Sequence, residues 1–388
     1  MRLLASLAIC LAFCGCVRQS DGLQSVLLQT DSKIKWNKKT GCDAFVVNGC
    51  DTICYKGTVK FRGGISSKYP KHSYSLKFSE EHSLCGLPSG KSWILNANYI
   101  DKTFMRHKLC YDLFRRMGNY NLASRCDYAM VHENGKNRGL YVVMQRLNRH
   151  VLDIDANDDN ALIFKDPKVF YNDSMMPPKS SPDENFNEQT YPDFKKHGDR
   201  SAILDEFRDF ILHSTDSEFE AHIGDWIDMR NVVDWHLLLL FTNNADGVLK
   251  NFYLYKKDTG TPFRVAIWDC DHSFGRDGDN ELNMLERLTD DRRNILFDRL
   301  SDFRWYNDML SRRWHKLRKS GVISYRKIEK MMQENDRRIQ FGLSENTAIW
   351  GFDSEFYFDA NDYQQECRLM LDFVVLSLEK MDKNFLKK

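Results

Sequence analysis

The chain has 388 residues and carries 56 Lys and Arg against 55 Asp and Glu, a formal net charge of +1. That balance gives no general field for attracting nucleic acid or an anionic membrane, so a dedicated nucleic-acid role is not expected. Hydrophobic residues at 42% and aromatic residues at 13% suffice for a chain folded over most of its length, with a sizeable core or two lobes sharing a cleft.

Residues 1–16 read as an export signal: Arg2, an apolar run from Leu3 to Phe13, then Cys14-Gly15-Cys16. The run is too short to span a bilayer. Gly15 before Cys16 fits lipidation of Cys16, as in a bacterial lipoprotein, whereas Phe13 fits that signal poorly; secretion with cleavage nearby stays open beside it. Either outcome places the chain on the extracytoplasmic side, and a membrane would be met only through a lipid anchor. Residues 17–41 are polar and read as a leader or tether. Beyond the signal and Cys16 lie Cys42, Cys50, Cys54, Cys85, Cys110, Cys126, Cys270 and Cys367, an even number, as a disulfide framework needs. The irregular spacing of Cys42, Cys50 and Cys54, with His72 and His82 remote, favours a disulfide clip over zinc.

Residues 42–165 read as a β-rich first lobe. Gly57 to Arg62 and Ser73 to Phe78 are strands, joined by the small, basic loop Gly63-Gly64-Ile65-Ser66-Ser67-Lys68-Tyr69-Pro70-Lys71, whose amides could approach phosphate oxygens. A helix follows, capped by Asp101 or Thr103, with Met105, Leu109, Leu113 and Met117 on its core face and Gly118 as its stop. Tyr128 to Val131 and Gly139 to Met144 form a hairpin about Asn134-Gly135, and Ala161 to Lys165 is one more strand. Residues 166–200 hold five of the eight prolines and read as an inserted loop outside the core. Residues 201–388 read as a helical second lobe, with helices over 201–213, 229–241, 284–319, 324–341 and 361–385.

Inside this lobe, Phe252 to Tyr255 and Phe263 to Trp268 form a second hairpin about the turn Lys256 to Pro262. Antiparallel strands start and finish at the same end, so Asp246 and Asn251 come beside Asp269 and Asp271. Mg²⁺ prefers one or two carboxylates plus substrate phosphates over an all-protein cage, and the set therefore suits phosphoryl transfer better than a structural ion.

Several motifs then occur in a familiar order. Arg62-Gly63-Gly64-Ile65-Ser66-Ser67, Tyr69 to Phe78, Trp93 to Thr103 with Arg106, Asn134-Gly135, Gly139-Leu140-Tyr141, Asn244-Ala245-Asp246 with Asn251, and Trp268-Asp269-Cys270-Asp271 with Gly275 together resemble the spore coat protein H (CotH) kinase-like family. The resemblance runs from about residue 58 to the C-terminal helix and implies an α+β, atypical protein-kinase-like two-lobe fold that binds ATP with Mg²⁺ or Mn²⁺. It implies transfer of phosphate to Ser or Thr of secreted, envelope or surface proteins. Asp246 would be the catalytic aspartate, five residues before Asn251 as in the ordinary kinase catalytic loop. Asn251, Asp269 and Asp271 would hold metal; Arg62, Ser66, Ser67 and Lys77 would contact the nucleotide phosphates. Two departures weigh against activity. Gln145 stands where the family usually has a carboxylate, with Asp112 as a substitute partner, and Gly64-Ile65 stands where an asparagine is common. The alternative is a non-catalytic surface protein, an adhesin or assembly factor; a metal-dependent hydrolase lacks suitably spaced histidines.

Overall fold

The computed structural model describes residues 22–181, 183–276, 291–351 and 360–386, so the export signal and Cys16 lie outside the described residues. Two compact units share the chain. One takes Met1–Ala97, Asp127–Val143 and Asn335–Gly351, the other Asn98–Cys126, Met144–Glu334 and Phe352–Lys388. The chain is thus mixed α and β with a β-rich N-terminal part, and each unit is built from separated stretches of sequence.

The first unit is a closed barrel in the order β1 (Gln24–Gln29), β2 (Thr40–Asn48), β3 (Asp51–Arg62), β4 (Ser73–His82), β5 (Gly90–Asn96), β7 (Lys136–Gln145) and β6 (Cys126–Glu133). Closure comes from β1, which pairs antiparallel with β2 and parallel with β6. Alternate residues fill the interior, since successive strand side chains point to opposite faces. Val26 and Leu28, Cys42, Ala44 and Val46, Tyr74, Leu76 and Phe78, Trp93 and Leu95, and Tyr141 and Val143 make that core. The Asn134-Gly135 turn joins β6 to β7 as expected, with both residues left-handed at φ 48 and 82.

This arrangement corrects the expected leader. Residues 24–29 are a barrel strand, in which Val26 and Leu28 bury inside although Gln24, Ser25 and Gln29 make the stretch look polar. The disulfide framework is also corrected: no two of the eight cysteines lie at bonding distance. The register opposes Cys42 to Gly57 and Cys54 to Phe45, so those thiols never face each other. Cys42, Cys85, Cys110, Cys126 and Cys270 are buried and pack as small apolar groups. Burial pushes the Cys42 thiol up to about 12.

In the second unit, α1 (Arg106–Met117) buries the expected stripe of Leu109, Leu113 and Met117. Asp101 accepts the Arg106 amide at 3.0 Å, and Thr103 Oγ1 accepts that of Met105 at 3.2 Å. A four-stranded sheet runs in the order β11 (Arg264–Ile267), β10 (Phe252–Lys256), β8 (Leu162–Lys165) and β9 (Gln189–Tyr191). The stretch read as an insertion therefore supplies an edge strand and the short helix α2 (Phe194–His197), and β8 and α1 belong here and not to the first lobe.

Helices α3 (Ala202–His213), α4 (Asp216–Trp226), α5 (Met229–Thr242), α6 (Ile295–Ser301), α7 (Arg304–Lys319), α8 (Tyr325–Trp350) and α9 (Tyr363–Phe385) follow. Sequence reading missed α4, although Thr215 and Glu218 close a capping box at its start. The helix expected over 284–319 is broken in its described part between Ser301 and Arg304; residues 284–290 lie outside the described residues. Among the described residues, no helix is long and apolar enough to cross a membrane.

Candidate active site

Helix α5 is buried on most faces and ends where Asn243 turns left-handed (φ 51), its amide bonding the carbonyls of Leu239 and Leu240. The Asn244 side chain then accepts the Gly247 amide at 3.2 Å, folding Ala245–Gly247 into a tight turn that presents Asp246. The turn packs closely on the helix: a Cβ on Gly247 would stand 2.6 Å from Leu239 Cδ2, which would have to shift. Both Asp246 oxygens are engaged. Lys250 Nζ lies 2.9 Å from Oδ1, and Asn251 Nδ2 donates to Oδ2 at 2.9 Å. The hydrogen bond and charge of Asp246 outweigh burial and raise the Lys250 ammonium above its ordinary range.

Asn251 is itself left-handed, with φ 62. Its amide donates to Asp166 Oδ1 at 2.6 Å and the Phe252 amide donates to the same oxygen at 3.3 Å. From Asn251 the hairpin runs as expected: Trp268 N donates to the Asn251 carbonyl at 2.9 Å, and Phe252 opposes Ile267. Asp269 comes immediately after Trp268, left-handed at φ 49, its amide donating to Tyr111 Oη at 3.0 Å. The hairpin thus gathers Asp246, Asn251, Asp269 and Asp271 at one end, as local topology requires.

A fifth residue, absent from the sequence expectation, joins them. His107 is buried in the first turn of α1, with Nε2 3.2 Å from Asp269 Oδ1. His107, Asp269 and Asp271 each offer a ligand atom, all within 4.8 Å of one another. Burial disfavours the charged imidazole, but the Asp269 hydrogen bond and the charges of Asp271, Asp269 and Asp101 prevail and lift its pKa to about 8. Burial, then repulsion from Asp269 and Asp246, raise the Asp271 carboxyl. So much negative charge gathered about a buried imidazole in a partly exposed place is the setting a divalent cation relieves, and the donors are the hard oxygens and imidazole that such ions take. The N-terminus of α1 is held by Arg106, wholly buried, which bonds Asp101 at 2.7 Å, Glu366 at 3.0 Å and the Ser273 carbonyl at 2.9 Å.

The phosphate-loop residues belong to the barrel unit. Arg62 ends β3, and Ser66 and Ser67 lie in a short 3₁₀ turn, Ile65–Lys68, where Ser67 donates through both N and Oγ to the Gly64 carbonyl at 3.1 and 2.7 Å. Gly63 is at φ 142, and a Cβ there would stand 2.5 Å from Ser66 Oγ. Lys77 is not brought to this loop. It is exposed between the inward Leu76 and Phe78, and it opposes Thr58 whereas Ser73 opposes Arg62, about 13 Å along the ladder. Of the two lysines in the loop, Lys68 is exposed and Lys71 is buried, with its three protons directed at the carbonyls of Ala97 (3.0 Å) and Leu140 and at Asn346 Oδ1 (2.9 Å). Burial lowers the Lys71 pKa. Asp112 is paired with Lys108 at 2.8 Å and with Arg115 on its own helix, while Gln145 is buried, its amide bonded to Arg125 and its carbonyl to Ser124 Oγ.

The model of the CotH kinase protein family matches residues 59–381, and the chain belongs to that family. It is 28% identical over 226 residues to the inner spore coat protein H of Bacillus subtilis (strain 168), a match over 56% of this chain and 59% of that protein. The chain therefore spans about six-tenths of the length of this curated relative. It is also similar to the crystal structure of the Helicobacter pylori proinflammatory kinase CtkA, at 13% identity and a TM-score of 0.35 over 81% of this chain and 91% of that one.

Proposed function

We propose that the chain is an atypical, kinase-like phosphotransferase of two lobes that moves the γ-phosphoryl group of ATP to a serine or threonine hydroxyl of a protein. The convergence of Asp246, Asn251, Asp269 and Asp271 on one hairpin end carries this reading, supported by family membership. Asp246 is about one-third exposed, with its carboxylate aimed by Lys250 and Asn251, as a group that orients a hydroxyl and takes its proton must be. A divalent ion held by Asn251, Asp269 and Asp271 would neutralise charge on the transferred phosphoryl group. Arg62, Ser66 and Ser67 would receive nucleotide phosphates in the glycine turn, while exposed Lys77 is the weakest member of the set. The name of the Bacillus relative, a coat protein, supports work at a surface outside the cytoplasm. A second reading, a binding protein that keeps the fold without transfer, is favoured by Gln145: Asp112, the substitute carboxylate, is already taken by Lys108 and Arg115.

The test uses the full chain with γ-labelled ATP, Mg²⁺ or Mn²⁺ and a serine-rich peptide, with Asp246→Asn beside it. Label in the wild type and a loss of at least about a hundredfold in the variant are expected. Equal labelling in both, or none in the wild type while nucleotide binds, favours the binding protein.

A further inference from the structure

The geometry points to His107 as a ligand of the same metal centre, which makes it a mixed nitrogen and oxygen site that selects a transition-series divalent ion such as Mn²⁺ over Mg²⁺. The inference rests on the reading of Asp269 and Asp271 as the carboxylates that hold metal.

Its first support is spacing. Two ligand atoms at about 2.1 Å from one ion lie roughly 3.0 Å apart when cis in an octahedron and roughly 3.4 Å apart in a tetrahedron. His107 Nε2 and Asp269 Oδ1 are 3.2 Å apart, inside that window, and the Asp271 oxygen closes a triangle with no side beyond 4.8 Å. As a hydrogen bond the contact lies at the long end of the range, since charge-assisted N–H···O⁻ bonds run about 2.7–2.9 Å.

Rigidity is the second support. His107 is only 2% exposed. Its helix is pinned to the carboxylate segment on both sides of it: Arg106 Nε bonds the Ser273 carbonyl at 2.9 Å, and Tyr111 Oη accepts the Asp269 amide at 3.0 Å. The imidazole and the two carboxylates are therefore held in register by contacts that none of the three supplies, which is how a preformed site is built. Mg²⁺ takes oxygen ligands in a strict octahedron, whereas imidazole suits transition metals; a nitrogen bound directly to the ion therefore biases the choice.

The test is Mn²⁺ binding to metal-stripped full chain without nucleotide, read by electron spin-echo modulation, with Mg²⁺ affinity measured by calorimetry. Nitrogen modulation from a bound imidazole is expected in the wild type. In His107→Asn that signal should vanish, Mn²⁺ affinity should fall about tenfold, and Mg²⁺ affinity should stay within about twofold. Mn²⁺ bound without nitrogen modulation in the wild type overturns the assignment whether or not the variant folds. Modulation that persists in His107→Asn also overturns it, because the nitrogen would then be that of His272, 3.9 Å from Asp271. Nitrogen ligation in a chain that transfers no phosphate supports the ligand and overturns only the kinase reading. Failure of the wild type to bind Mn²⁺ overturns both.

Discussion

Replacing Asp166 by alanine tests whether the loop carrying Asn251 is positioned from outside itself. One oxygen of Asp166 accepts the Asn251 amide at 2.6 Å and the Phe252 amide at 3.3 Å. Hydrogen bonds to a charged acceptor contribute about 1.5–3 kcal/mol; counting the longer one at half or less, the loss comes to roughly 2–4 kcal/mol. Lys165 adds little to that sum, because its ammonium retains Glu188 at 3.1 Å when Asp166 goes. The structural loss is only half of the expectation. Freed from Asp166, Asn251 can leave its left-handed conformation and release Asp246 Oδ2, so phosphoryl transfer should fall about a hundredfold and Mn²⁺ affinity about tenfold. Asp166→Asn keeps an acceptor oxygen without the charge and should lose about half as much stability. Equilibrium urea unfolding followed by tryptophan fluorescence measures the first quantity, and Mn²⁺ titration the second. A variant that loses stability yet binds Mn²⁺ as tightly as wild type would refute the positioning role.

Acid should unfold the second unit through Asp101. Burial opposes its charge, but Arg106 and Thr103 hold the folded carboxyl below its ordinary value near 4. Its contribution is therefore full above about pH 4 and is lost as pH falls through the lowered value; Asp101→Asn should flatten that acid limb and cost roughly 3–5 kcal/mol at neutral pH, checked by urea midpoints between pH 6 and 2. An unchanged limb would exclude Asp101 as its source. Gly139→Ala should destabilise the barrel by more than about 1–2 kcal/mol, since φ is 82 and the new methyl would stand 2.6 Å from Asn346 Oδ1, a Lys71 acceptor. A midpoint equal to wild type in thermal unfolding would contradict that packing.

Legibility followed the range of the contact. The hairpin and its four polar residues were readable because Asn251 and Trp268 are joined by one local turn. The Asn134-Gly135 turn and the stripe on α1 were readable for the same reason. His107 was not, because 162 positions separate it from Asp269 and no spacing rule links a helix start to a distant hairpin end. Asp166 was hidden likewise inside a proline-rich stretch that looked like loop. Lys250 did carry a signal, four residues after Asp246 and opposite in charge. The exposure of Lys77 was also legible, since Leu76 and Phe78 flank it in a strand of period two. The strand β1 was lost to composition, as the short apolar run Val26-Leu27-Leu28 does not outweigh a polar neighbourhood, and an even cysteine count said nothing about facing geometry.

The barrel's closure sets an order of events for a nascent chain. Gln24 pairs with Ala129 across more than a hundred positions, and Gly342 of α8 packs on Leu23, Met130 and Leu140. β1 therefore waits for β6 to close the sheet, and for α8 to cover one side of it. Contacts this distant form slowly, and an unpaired β1 offers a sheet edge to other chains meanwhile. A fragment ending after β7 would retain every strand of the barrel and still expose Leu23, Met130 and Leu140. Dissecting this protein into separately expressed halves should accordingly yield aggregates, whereas cutting the intact chain on a surface loop should leave it assembled.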